Sequence, residues 1–200
     1  MATAKSAPVE AFPIGVTESG ELPLPWLAAP LAAALSLGRS HALLVHGPAG
    51  GGHLEFALVL AQTLLCEAGG ERTLACGRCA SCRGVRGRSH PDLLVVLPDA
   101  LRLQLGWVGE DEKLGKGDAK PSRDLRVEQV RQAIAWTQTT SGRGRGKLLL
   151  LHPADALNIP SANALLKTLE EPPGDVRFVL ATEAAHQLLP TVRSRCLTHT

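Results

Sequence analysis

Apolar positions along the chain fall into two patterns, short continuous runs and longer stretches that repeat every three or four residues. His41-Ala-Leu-Leu-Val-His46, Leu93-Leu-Val-Val-Leu97, Leu148–Leu151 and Val176–Ala181 are too short for helices and read as buried strands. A last short strand is expected within Thr191–Thr200. Between them, Trp26–Leu37 is an Ala/Leu-rich helix, and Leu54–Leu65 is apolar almost all round, as a helix packed on a sheet would be. Val127, Val130, Ile134 and Thr137 recur at helical spacing, which makes Leu125–Thr137 an amphipathic helix. A helix over Ala162–Glu170 puts Leu165, Leu166 and Leu169 on one side, and Pro172-Pro173 stops it. Strands alternating with helices predict a three-layer α/β domain with a mainly parallel sheet.

Two segments carry neither period. Residues 1–22 are polar, punctuated by Pro and Gly, and read as a mobile extension ahead of one domain over residues 23–200. Pro98–Arg123 mixes charges and glycines and reads as a long loop, a flexible insertion over about 98–122.

At 44% hydrophobic the chain can bury a core, and a net charge of +2 is too mild to announce a nucleic-acid binder. Three Phe, three Trp and no Tyr leave little surface for stacking on bases, which argues against a single-strand binding module. No apolar run approaches the ~18–20 residues of a membrane span, and Met1–Glu21 lacks the apolar centre of a signal peptide. A cytoplasmic location is expected.

In that setting the cysteines read as thiols or ligands rather than disulfides. Cys66-x9-Cys76-x2-Cys79-x2-Cys82 offers four thiolates, the number that a closed tetrahedral structural zinc site takes. Two adjacent C-x2-C spacings let ligands of one tight turn face the same ion, and Cys66 at a helix end closes the site. A redox pair, which would leave Cys66 and Cys82 idle, and unrelated buried thiols are the alternatives.

The first strand runs into Gly47-Pro-Ala-Gly-Gly-Gly52-His53-Leu54. A working phosphate loop reads G-x-x-x-x-G-K-[ST]; its amides cradle phosphate, its lysine neutralises charge and its hydroxyl ligates magnesium. Here His53 stands at the lysine and Leu54 at the hydroxyl position. Leu cannot ligate a metal, and a mostly neutral His is a poor substitute for an ammonium. The strand Leu148–Leu151 should end in acids that hold magnesium, yet it ends in His152-Pro153, with Asp155 beyond. Both losses predict a nucleotide fold that no longer hydrolyses ATP. Ser141-Gly-Arg-Gly-Arg-Gly-Lys147 is a basic turn; Arg143, Arg145 and Lys147 read as solvated charges, with DNA phosphate contact as the alternative. His53, His90 and His186 show no ligand spacing and read as structural or surface residues.

Three strings resemble the AAA+ clamp-loader subunits of bacterial DNA polymerase III. Asn163-Ala-Leu-Leu-Lys-Thr-Leu-Glu-Glu-Pro-Pro173 looks like their hallmark helix, Ser194-Arg195-Cys196 resembles their S-R-C motif, and the four-cysteine insertion is similar to their zinc module. Ser89-His90-Pro91-Asp92 and Arg126-Val-Glu-Gln-Val-Arg131 agree further, and the resemblance runs from about Pro25 to His199 except near 98–122. Among these subunits gamma and tau keep an intact phosphate loop and delta-prime does not, so the altered Gly47–Leu54 loop points to the delta-prime type. The resemblance implies an AAA+ P-loop-type domain with a zinc-binding insertion at 66–82. It also implies a non-hydrolysing member of a ring that loads the sliding clamp beta onto primed DNA, beside gamma or tau and delta. Arg195 would then be an arginine finger offered in trans, with Arg193 as runner-up. Family members continue into a helical lid and a C-terminal collar that this sequence lacks, so a fragment is expected. An active gamma/tau-like ATPase and a stand-alone zinc DNA-binding module are the rival readings.

Overall fold

The computed structural model describes residues 12–37, 40–68, 74–109 and 120–200. Five strands form one parallel sheet: β1 (Ala42–His46), β2 (Leu93–Val96), β3 (Lys147–Leu151), β4 (Val176–Thr182) and β5 (Leu197–His199), in the order β2-β3-β4-β1-β5. Parallel pairing demands crossovers, and helices supply them. They are α1 (Ala28–Ser36), α2 (His53–Leu65), α3 (Ala80–Arg86), α4 (Asp99–Gln104), α5 (Val127–Thr137), α6 (Ile159–Glu170) and α7 (Pro190–Arg193).

The near-continuous apolar runs of the strands make sense because both faces of the sheet are covered. In β3, Leu148 and Leu150 point into a core shared with α1 and α2, while Leu149 and Leu151 point into a second core with α5 and α6. β4 alternates likewise, with Val179 and Ala181 on the first face and Phe178 and Leu180 on the second. The result is the three-layer α/β architecture expected. Phe178 is fully buried at the centre of the second core, and its truncation to Ala should cost ~3–5 kcal/mol.

Two expected flexible segments differ. Residues 12–22 are not free: Val16 is fully buried, its N–H donates to Gln62 Oε1 at 2.5 Å, and Gln62 Nε2 returns a bond to the Val16 carbonyl at 3.1 Å. Gln62 is the one polar side chain of α2 with no exposure, and the segment satisfies it together with the Cys82 carbonyl, which accepts from Nε2 at 3.2 Å. Residues 1–11 of the expected extension lie outside the described residues. Within the expected insertion, α4 begins at Asp99, which is buried, pairs with Arg126 at 2.9 Å and accepts from Gln129 Nε2 at 3.3 Å. Trp107 then packs edge-on against Phe12, their centroids 5.7 Å apart, so the insertion and the N-terminal segment hold each other. Residues 110–119 of the insertion lie outside the described residues. No helix among the described residues is long and apolar enough to cross a membrane.

Candidate metal centre and altered nucleotide loop

Helix α2 ends where Cys66 adopts an extended conformation, and α3 begins with Cys79 as its N-cap. These two helix ends, with the turn between them, bring the sulfurs of Cys66, Cys76, Cys79 and Cys82 within 4.8 Å of one another. Residues 69–73 of the cysteine insertion lie outside the described residues. The Cys66–Cys79 and Cys76–Cys82 sulfurs are each 3.9 Å apart, far beyond disulfide bonding. A tetrahedron with Zn–S bonds of ~2.3 Å has edges of ~3.8 Å, so the spacing fits that ion.

Backbone amides already serve the sulfurs. The Cys79 N–H points to Cys76 Sγ at 3.3 Å and the Cys82 N–H to Cys79 Sγ at 3.4 Å. Amide donation from Arg78 and Cys79 brings the Cys76 thiol down to about 6. Burial opposes ionisation of Cys79, but the amides of Cys82 and Glu67 outweigh it and the thiol lies below its usual range. Burial pushes the Cys82 thiol well up, as expected of an interior ligand that ionises only against a cation. The set could hold a metal ion. Cys196 stands apart, its thiol raised to about 11 by burial.

The cysteine insertion is wired to the basic turn through a polar chain that the sequence did not disclose. The Asp92 N–H donates to His90 Nδ1 at 3.0 Å, which fixes the tautomer; Nε2–H then donates to Ser81 Oγ at 3.0 Å, and that hydroxyl to Glu67 Oε1 at 2.9 Å. Burial keeps His90 below the usual imidazole range, consistent with this neutral form. The Asp92 carboxylate is buried and accepts from the Gly142 and Arg143 amides at 2.7 and 2.8 Å and from Ser141 Oγ at 2.9 Å. Burial opposes the Asp92 charge, yet these donors hold the carboxyl below its usual range.

The charges of the turn are engaged within the molecule. Arg143 pairs with Glu67, and Arg145 Nη2 donates to the Glu67 carbonyl at 3.1 Å. Lys147 is not solvated as expected: it opens β3, is buried, donates to the Trp136 carbonyl at 2.9 Å and lies 4.0 Å from that ring's centroid.

At the other end of the sheet, β1 leads into the glycine loop and α2 leaves it. Gly50 and Gly52 have φ of +77° and +82°, the left-handed region that favours glycine. Leu54 is buried in the first core and His53 is buried beneath the loop, so neither presents an ammonium or a hydroxyl there. The end of β3 offers His152, whose Nδ1 lies 3.2 Å from the Ala181 carbonyl; burial lowers its pKa to about 4. Asp155 receives the Thr182 hydroxyl instead of facing the loop alone. His186 is exposed.

Arg195 lies just before β5, whose Leu197 is level with Leu43 in β1. The loop begins four residues beyond that level, roughly 13 Å at ~3.3 Å per residue. Arg195 and the chain's own glycine loop therefore sit at opposite ends of β1 and β5. Arg193, the other arginine considered, is exposed at the end of α7.

Comparison with known proteins agrees with this architecture. A solved gamma subunit-related protein of DNA polymerase III from Thermotoga maritima aligns with a TM-score of 0.55 at 18% identity, over 85% of this chain and 44% of that one. The delta-prime subunit of DNA polymerase III from Pseudomonas aeruginosa is 38% identical over 159 residues, which is 80% of this chain and 42% of that protein. The delta-prime subunit from Yersinia pestis is 37% identical over 86% of this chain and 46% of its own length. The tau subunit from Escherichia coli is 38% identical over 84% of this chain and 22% of its own. The chain thus spans less than half the length of these relatives. The family described as DNA polymerase III, delta subunit, matches residues 29–200. With delta-prime subunits at 31–38% identity among its relatives, the chain belongs to that family.

Proposed function

We propose that this chain is the nucleotide-fold domain of a delta-prime-type clamp-loader subunit, a cytoplasmic replication protein that does not hydrolyse ATP itself. It would take its place in a ring with gamma or tau and delta, which opens the sliding clamp and sets it on primed DNA. DNA is met through the assembly. The observation that carries this reading is the replacement of the phosphate-loop lysine and hydroxyl by His53 and Leu54, both buried, within a family-matched domain. Without those groups, γ-phosphate and magnesium have no side-chain ligands at the loop.

Arg195 is assigned to a neighbour's ATP. Its distance from the chain's own loop supports action in trans, where a guanidinium stabilises charge developing on the transferring phosphoryl group. Cys66, Cys76, Cys79 and Cys82 hold one structural zinc, whose chemistry is to tie four thiolates together and fix the insertion that α2 and α3 flank.

Co-purification of the full-length protein with gamma or tau and delta tests the ring role, alongside an ATPase assay of the protein alone. A stable complex with no turnover above contaminant level is expected. Turnover by the isolated protein would move the assignment to the gamma/tau type.

A further inference from the structure

The glycine loop is not an empty cradle. Gly50 N–H donates to Glu183 Oε1 at 2.9 Å, so a carboxylate of the chain itself sits on an amide of the loop. Glu183 directly follows β4, and its neighbours are pinned: Thr182 Oγ1 donates to Asp155, and the Ala184 N–H donates back to Thr182 Oγ1 at 2.9 Å. His53 lies beneath the loop, close to Gly47 and Gly51. A Cβ added at Gly47 would meet His53 Nε2 at 3.0 Å, and one at Gly51 would meet Cε1 at 3.1 Å. The other ring nitrogen, Nδ1, is buried, makes no hydrogen bond and lies 3.8 Å from Glu183 Oε1. His53 itself is only 7% exposed.

This arrangement mirrors a loaded phosphate loop. There, an amide nest ahead of a helix N-terminus receives phosphate oxygens, and a cation from the first residue of the helix backs them. Here the anion on the amide is Glu183, and the residue behind it is His53, the first of α2. The ring nitrogen aimed at that carboxylate, buried and unbonded, marks a place built for an anion.

We propose that Glu183 is a built-in substitute for phosphate, seated on the Gly50 amide of the loop, and that the nest accepts a polyphosphate group once that carboxylate is removed. Glu183 is 47% exposed, so a ligand reaches the nest from solvent without opening the core. The proposal concerns the chain alone; its failure would leave the ring role untouched, and failure of the ring role would leave the binding result standing.

The test titrates magnesium-free pyrophosphate into the purified full-length protein by calorimetry. The fluorescence of Trp26, whose Nε1 lies 3.4 Å from the Gly51 carbonyl, provides a local reporter. Glu183→Ala is compared with the unaltered protein and with Glu128→Ala, which makes the same charge change on exposed α5. At least tenfold tighter binding by Glu183→Ala than by both others is expected. Equal binding by Glu183→Ala and Glu128→Ala would overturn the proposal, as would tight binding by the unaltered protein. If Glu183→Ala does not fold, hydrogen exchange at the Gly50 amide of the unaltered protein decides. Protection supports the seat, and exchange as fast as an unstructured glycine overturns it.

Discussion

Arg195 is braced by Glu170: Nε donates to Glu170 Oε1 at 2.6 Å, Nη2 shares that oxygen, and Nη1 donates to the Thr191 carbonyl at 2.7 Å. The guanidinium is thus oriented from behind by the last residue of α6 and by α7, with its side chain still 31% exposed. An ion pair this open contributes at most ~1 kcal/mol to stability. On the proposed role in trans its effect is on geometry, because freeing an arginine side chain returns up to ~2 kcal/mol of rotamer entropy that would be lost again on contact. Glu170→Ala should leave urea stability within ~1 kcal/mol of the unaltered protein, yet lower the ATPase of the assembled loader by roughly three- to tenfold. Stability and rate falling together would show the pair to be merely structural.

One zinc per chain is expected from metal analysis of the purified protein. Cys79→Ala should release it, since three thiolates no longer close a tetrahedron. The α/β fold should keep its far-ultraviolet circular dichroism, since its second core contains none of the four cysteines. A protein that purifies with well under one zinc would contradict the assignment.

Asp92 should couple that insertion to the basic turn. Its carboxylate accepts two amides and a hydroxyl while buried, so Asp92→Ala leaves several donors without a partner. A loss of about 3 kcal/mol in urea unfolding is expected. Zinc should also leave faster on challenge with a chelator, because Arg143, which pairs with Glu67 next to Cys66, loses the carboxylate that holds its amide. Unchanged zinc release would break the proposed link.

His152 gives a pH signature. Its folded pKa is lowered to about 4, against an unfolded value near 6.5, so between those limits the unfolded chain binds the extra proton. Stability is therefore complete above ~6.5 and falls as the solution is acidified towards pH 4. The difference of about 2.5 units corresponds to ~3 kcal/mol at most. His90 and His199, also lowered by burial, add the same sign. Urea unfolding at pH 7 and pH 4.5 should show this loss, and His152→Leu should recover part of it. Identical pH slopes for the two proteins would contradict the assignment to His152.

What the sequence made legible was what neighbours in the chain determine. The run Ala42–His46, the glycines after it and the apolar stretch to Leu65 announced strand, loop and helix with boundaries correct to a residue. The C-x2-C spacings likewise anticipated the four sulfurs that come together. What stayed hidden depends on partners far along the chain. Val16 is buried because Gln62, 46 residues away, needs it, and a glutamine within a mostly apolar helix was the only hint. Six residues are too few for α4 to show a helical period. Lys147 closes a charged turn in sequence, yet folds inward because it opens a strand covered on both sides. Nothing local placed Glu183 on Gly50, since 133 residues separate them.

The central claim is that this chain works on a neighbour's ATP through Arg195 rather than on its own. Its most direct test is DNA-stimulated ATPase and clamp loading by the reconstituted full-length loader carrying Arg195→Ala, beside Arg193→Ala and Arg195→Lys. The account predicts an intact complex and a rate reduced at least roughly tenfold in Arg195→Ala, below the range of single-site GTPases because other sites keep firing. Arg193→Ala should be near normal, and Arg195→Lys should rescue poorly, since an ammonium lacks the planar fork. Clamp loading at the normal rate by Arg195→Ala would contradict it.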